Sequence, residues 1–158
     1  MSRRKTQQKE IKVYIHGGEC WVGKQDIPKN VEGLSSYKVL LPRSGSPGST
    51  VIGKPKLSEP ESCSSNTYAV VIRESKAFSK EEAENIISYI TTKFFRFLVA
   101  IKTSTQDIAP KAYEFVPIQD FSKTWTDNEL YLKYDLVKEE IDFIEKSIRP
   151  MDLGGSDE

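Results

Sequence analysis

Side chains able to perform covalent or acid–base chemistry are few in this sequence, and poorly spaced for it. The one histidine, His16, stands beside Gly17–Gly18, and the two cysteines, Cys20 and Cys63, lie far apart. One imidazole and two distant thiols do not make a zinc site, which needs a close set of three or four ligands. One isolated His also cannot be built into a Ser-His-Asp arrangement. Gly17–Gly18 reads as a hairpin turn rather than a phosphate loop or dinucleotide fingerprint. Glu10–Ile11–Lys12 formally matches the acidic-x-Lys end of a nuclease metal site, but no suitably spaced upstream Pro-Asp accompanies it. Glu139, Glu140, Asp142 and Glu145 crowd one stretch with Lys146 and read as the solvated face of a helix. Nothing here marks the chain as an enzyme by itself, and no metal or cofactor is expected in it.

What remains is recognition chemistry. Arginine can read guanine bidentately, Asn or Gln can read adenine, and lysine suits phosphate. Candidate DNA-facing groups are Arg43, at the head of a Gly/Ser loop (PRSGSPGST), and Lys54 and Lys56, which flank Pro55. Lys102, Thr105, Gln106 and Lys111 complete the set on the stretch KTSTQDIAPK, where a polar loop follows an apolar helix. Lys24–Gln25 and Lys38 are further basic or amide groups in the first half. The plainer alternatives are a solvated loop for Arg43, solvated lysines at 54 and 56, and capping of free helix carbonyls by Thr105 and Gln106. Arg96, set among Phe94, Phe95 and Phe97, reads as an internal ion pair or stacked guanidinium rather than a phosphate contact. Trp125, Tyr131, Tyr134 and Phe143 read as packing groups, not base-stacking platforms.

The net charge of zero conceals an asymmetry. Residues 1–113 carry 18 Lys and Arg against 11 Asp and Glu, whereas residues 114–158 carry 5 against 12. A polyanion is drawn to the first part and repelled by the second.

The elements that must position these groups follow from periodicity. Residues 1–10 read as a disordered basic leader. Ile11–Ile15 alternates apolar and polar as a strand does, with Cys20–Val22 as the return strand of a hairpin. Asp26–Gly33 reads as loop or a short helical turn, Tyr37–Leu41 as a strand, and 51–60 as extended. Thr67–Ile72 is a β-branched run without clean alternation, which predicts a strand covered on both faces. Ser79 and Glu82 form a capping box. Apolar positions then recur at Ala83, Ile86, Ile87, Ile90, Phe94, Phe97, Leu98 and Ile101, which predicts one helix over Lys80–Lys102. Tyr113–Ile118 reads as a short strand. Thr126 with Glu129 opens a second capped helix that stops at Asp135, a residue tolerant of left-handed backbone. Val137–Ser147 is the last helix, ended by Pro150. The expected fold is therefore α+β: a mainly antiparallel sheet of about five short strands packed on one long helix, plus two C-terminal helices. The division expected is a domain over 11–122, a helical pair over 123–150 and a loose tail over 151–158.

The second half also carries an ordered series of short motifs. These are Thr92-Lys-Phe-Phe-Arg-Phe-Leu-Val99, Thr105-Gln106, Tyr113-Glu-Phe-Val-Pro-Ile-Gln-Asp-Phe121 and Trp125-Thr-Asp127. Leu130-Tyr131, Lys133-Tyr134, Glu139-Glu-Ile-Asp-Phe-Ile-Glu145 and Ile148-Arg-Pro-Met151 follow. Their order and spacing resemble the C-terminal target-recognition region of type II restriction-modification DNA adenine-N6 methyltransferases, including fused restriction–methylation enzymes. Tyr37-Lys38-Val39, Gly53-Lys-Pro55 and Thr67-Tyr68 are similar to that region more loosely. The resemblance implies a parent that transfers a methyl group from S-adenosylmethionine to adenine, using an Asn/Asp-Pro-Pro-Tyr/Phe motif on a flipped base. This chain has no adjacent prolines and no glycine-bearing cofactor loop. The expectation is a DNA-recognition piece whose catalytic, S-adenosylmethionine-binding domain lies elsewhere, in cis or in trans.

The partners expected are double-stranded DNA, that catalytic domain, and an endonuclease domain or subunit. The runner-up is an assembly module whose C-terminal helices dock on the methylase or endonuclease part without reading DNA. A cytoplasmic location is expected from the lack of a signal-peptide apolar stretch near Met1 and of a disulfide framework. No membrane partner is expected, because no apolar run approaches the ~20 residues a span requires.

Overall fold

A computed structural model describes residues 9–43, 51–73, 76–103, 108 and 110–151. Among these, the chain forms six strands and four α-helices, an α+β arrangement. None of the helices is long and apolar enough to cross a membrane.

The first hairpin forms where alternation predicts it. Strand β1 (Ile11–Ile15) pairs antiparallel with β2 (Gly18–Val22) across the two-residue turn His16–Gly17. Gly17 adopts φ +70°, which a residue without Cβ takes at little cost. On its other side β1 pairs in parallel with β5 (Ser62–Ser64). Ile11, Val13, Cys20, Val22 and Leu34 close a small core on this sheet.

The second sheet has the order β4-β3-β6, all antiparallel, from β3 (Lys38–Pro42), β4 (Lys56–Ser58) and β6 (Tyr68–Val71). The single five-stranded sheet expected is thus replaced by two three-stranded sheets, one containing a parallel pair. Periodicity reports which face of a strand is buried, not its neighbour, so it could not separate the sheets. The expectation for Thr67–Ile72 also changes. β6 is an edge strand, and Val70 and Ile72 are 40% and 69% exposed.

The long helix is two helices, α1 (Lys80–Ile90) and α2 (Lys93–Lys102). Apolar spacing runs through the junction, but the backbone does not. Thr92 is extended (φ −62°, ψ 151°) and serves as the N-cap of α2. Its hydroxyl accepts from the Phe95 N–H at 3.1 Å and donates to the Tyr89 carbonyl at 2.7 Å, satisfying one helix end and the other's start at once. The Thr91 hydroxyl likewise donates to the Ser88 carbonyl. Side-chain oxygens that compete with the helical ladder are the physical reason for the break.

Tyr113–Ile118 is not a strand. A 3-10 turn spans Pro110–Tyr113, and irregular chain follows to the next helix. Side chains of α1 hold this stretch instead of a β-ladder. Asn85 donates to the Phe121 carbonyl at 3.0 Å and Tyr89 to the Pro117 carbonyl at 2.8 Å. Ser88 accepts the Trp125 N–H at 3.0 Å.

Both capping boxes form as the sequence predicts, Ser79/Glu82 opening α1 and Thr126/Glu129 opening α3 (Asp127–Lys133). Asp135 is left-handed at φ 50°, and α4 (Lys138–Ser147) follows. The main core combines Val39 and Leu41 of β3, Ile86, Tyr89 and Ile90 of α1, Phe94, Phe95 and Val99 of α2, and Leu130, Tyr131 and Ile144 of the last two helices.

Candidate nucleic-acid interface

One of the basic candidates stands at the end of β3. At that end the chain emerges at Arg43, an exposed residue whose main chain is held on both sides. Its N–H donates to the Thr67 carbonyl at 2.9 Å, and its carbonyl accepts the Ile108 N–H at 2.8 Å. The second bond ties Ile108 to the end of β3, a contact that nothing in the sequence announces. Lys56 lies opposite Leu40 in the ladder, so extending the register carries Lys54 toward Pro42, beside Arg43. Lys54 and Lys56 are both half-buried.

Lys102, in the last turn of α2, is half-buried. Its ammonium is 3.4 Å from the Glu114 carboxylate and 4.1 Å from the centre of the Phe115 ring. A cation over a ring face beside a carboxylate is partly neutralised, so Lys102 offers less charge to a phosphate than an open lysine would. Lys111 is exposed on the 3-10 turn. Thr105 and Gln106 lie outside the described residues. The helix end itself is closed by Thr103, whose hydroxyl donates to the Val99 carbonyl at 2.8 Å. Arg43 is thus tied to Ile108, Lys56 lies opposite Leu40 in the ladder, and Lys102 is held by Glu114 and Phe115.

Arg96 belongs elsewhere. It is 1% exposed. Its Nε donates to the Thr92 carbonyl at 3.2 Å and a terminal nitrogen to the Arg149 carbonyl at 2.7 Å. Burial lowers its pKa, and the Asp127 carboxylate opposes that shift. It is an internal brace rather than a phosphate contact.

The other reactive groups are accounted for in the same way. His16 is exposed in the β1–β2 turn. Lys12 pairs with Glu19 at 2.9 Å and lies 5.3 Å from the Tyr14 ring centre. Cys20 and Cys63 both face Val13, from opposite sides of β1. Two strand spacings, roughly 9–10 Å, separate them. That exceeds the ~7 Å limit between Cα atoms for a disulfide. Burial raises the Cys63 thiol pKa, which keeps it neutral. Among the described residues, no group of three His, Cys, Asp or Glu side chains could hold a metal ion.

Sequence reasoning missed the polar network under the 113–122 segment. Gln119, 6% exposed, donates to the Tyr134 hydroxyl at 2.8 Å and accepts from the Lys133 ammonium at 2.6 Å. Burial pushes the Tyr89 hydroxyl up to about 12, with the Gln119 amide opposing it. The ammonium groups of Lys123 and Lys133 lie 4.1 and 4.7 Å from the centre of the Trp125 ring. The signal for this network was the polar Gln119 embedded in an otherwise apolar FVPIQDF run. The chain matches no known family model, no curated protein and no solved structure.

Proposed function

We propose that this chain is the DNA-recognition portion of a site-specific DNA adenine methyltransferase of a restriction-modification system, carrying no catalytic or S-adenosylmethionine site of its own. The observation that carries this reading is the way the resembling motifs hold one another. Asp127 of WTD caps the helix that begins KFFRFL, through the Lys93 and Phe94 N–H groups at 3.1 and 2.8 Å. Arg96 of that helix bonds the carbonyl of Arg149 in IRPM, and Gln119 of FVPIQDF bonds Tyr134 of LYLKY. Motifs that interlock in three dimensions keep their order and spacing for a physical reason, which gives the resemblance weight beyond its short words.

In this reading the interlocked half is a scaffold. The exposed Arg43 and Lys111, with Lys54 before β4 and Lys56 at its start, meet the duplex: Arg43 by its guanidinium fork, the lysines on phosphates. The sequence has no adjacent prolines to hold a flipped adenine, and in this reading methyl transfer belongs to another domain. Fluorescence anisotropy of the chain with duplex DNA tests the proposal. Salt-sensitive binding at 50 mM salt is expected, weakened in an Arg43→Glu/Lys54→Glu/Lys111→Glu variant. Absence of binding at that salt overturns it.

A second reading is favoured by the exposure of Leu132, Val137 and Phe143, at 79%, 55% and 60%, on the acidic C-terminal helices. Here the chain docks on the methylase or endonuclease part without touching DNA. The same triple variant would then leave DNA binding and site preference of the assembled enzyme unchanged.

A further inference from the structure

We draw no further inference here: the strongest candidate, the apolar groove between β6 and the 116–122 segment with the exposed Val70, Ile72 and Ile118 on its walls, is an unpartnered face, and nothing in the structure shows what covers it.

Discussion

The two carboxylate oxygens of Asp127, the first residue of α3, accept the Lys93 and Phe94 N–H groups at the start of α2, at 3.1 and 2.8 Å. One helix therefore caps another. The carboxylate satisfies two donors that have no partner within α2 and sits against the positive end of its dipole. Asp127→Ala is expected to destabilise the fold by about 1–2 kcal/mol, the range for loss of a helix cap. Asp127→Asn, which keeps one acceptor, should lose less. Urea unfolding of the three proteins measures both.

Arg96 braces the segment that follows α4 through the Arg149 carbonyl, at 2.7 Å. Removing a buried guanidinium strips two carbonyls of a charged donor, each bond worth about 1.5–3 kcal/mol. Arg96→Met should therefore cost roughly 2–4 kcal/mol after its own apolar packing is credited. Arg96→Lys should not restore stability, because an ammonium lacks the planar fork that reaches both carbonyls. Thermal unfolding that leaves Arg96→Lys equal to the parent would show that charge alone suffices.

The capping-box glutamates set an acid limit on two helices. Glu129 is held down to about 2, first by the Lys123 ammonium at 2.8 Å and then by Thr126. Glu82 is held below the usual carboxylate range, first by the Ser79 N–H and then by Arg73. A carboxyl with a depressed folded-state pKa stabilises fully above its unfolded value, ~4.3, and loses that contribution as pH falls through the folded value. The urea midpoint is thus expected to fall between about pH 5 and pH 2. Glu129→Gln and Glu82→Gln should each flatten that fall; curves parallel to the parent's would show that neither carboxylate contributes.

The proposed DNA binding carries its own signature. Each phosphate contact removed should lower the slope of log K against log salt by about 0.9. Lys111→Ala is expected to act this way on any duplex. Lys102→Ala should change the slope less, because Glu114 and Phe115 already engage that ammonium. Anisotropy titrations at several salt concentrations separate the two variants.

Features of this fold that rest on bonds within four residues were legible in the sequence. Ser79/Glu82 and Thr126/Glu129 announced two helix starts, Gly17 a hairpin, and Asp135 a helix stop, since each places donor and acceptor within one turn of chain. The apolar stripe marked core positions in α1 at Ala83, Ile86 and Ile90, but in α2 Ile101 is 57% exposed while the off-stripe Phe95 and Val99 are buried, and it did not show the break at Thr92. Packing continues across that junction, while the backbone ends settle on Thr92 itself and on Asp127 from α3. Tertiary structure alone decided the 113–122 segment, whose holding bonds, Tyr89–Pro117 and Asn85–Phe121, join residues 28 and 36 apart. It also decided that Arg43 meets Ile108. Local hydrogen bonding and periodicity are properties of short stretches, readable from spacing. Which strand lies beside which, and which loop a distant side chain fastens, depends on the three-dimensional path that closes the common core.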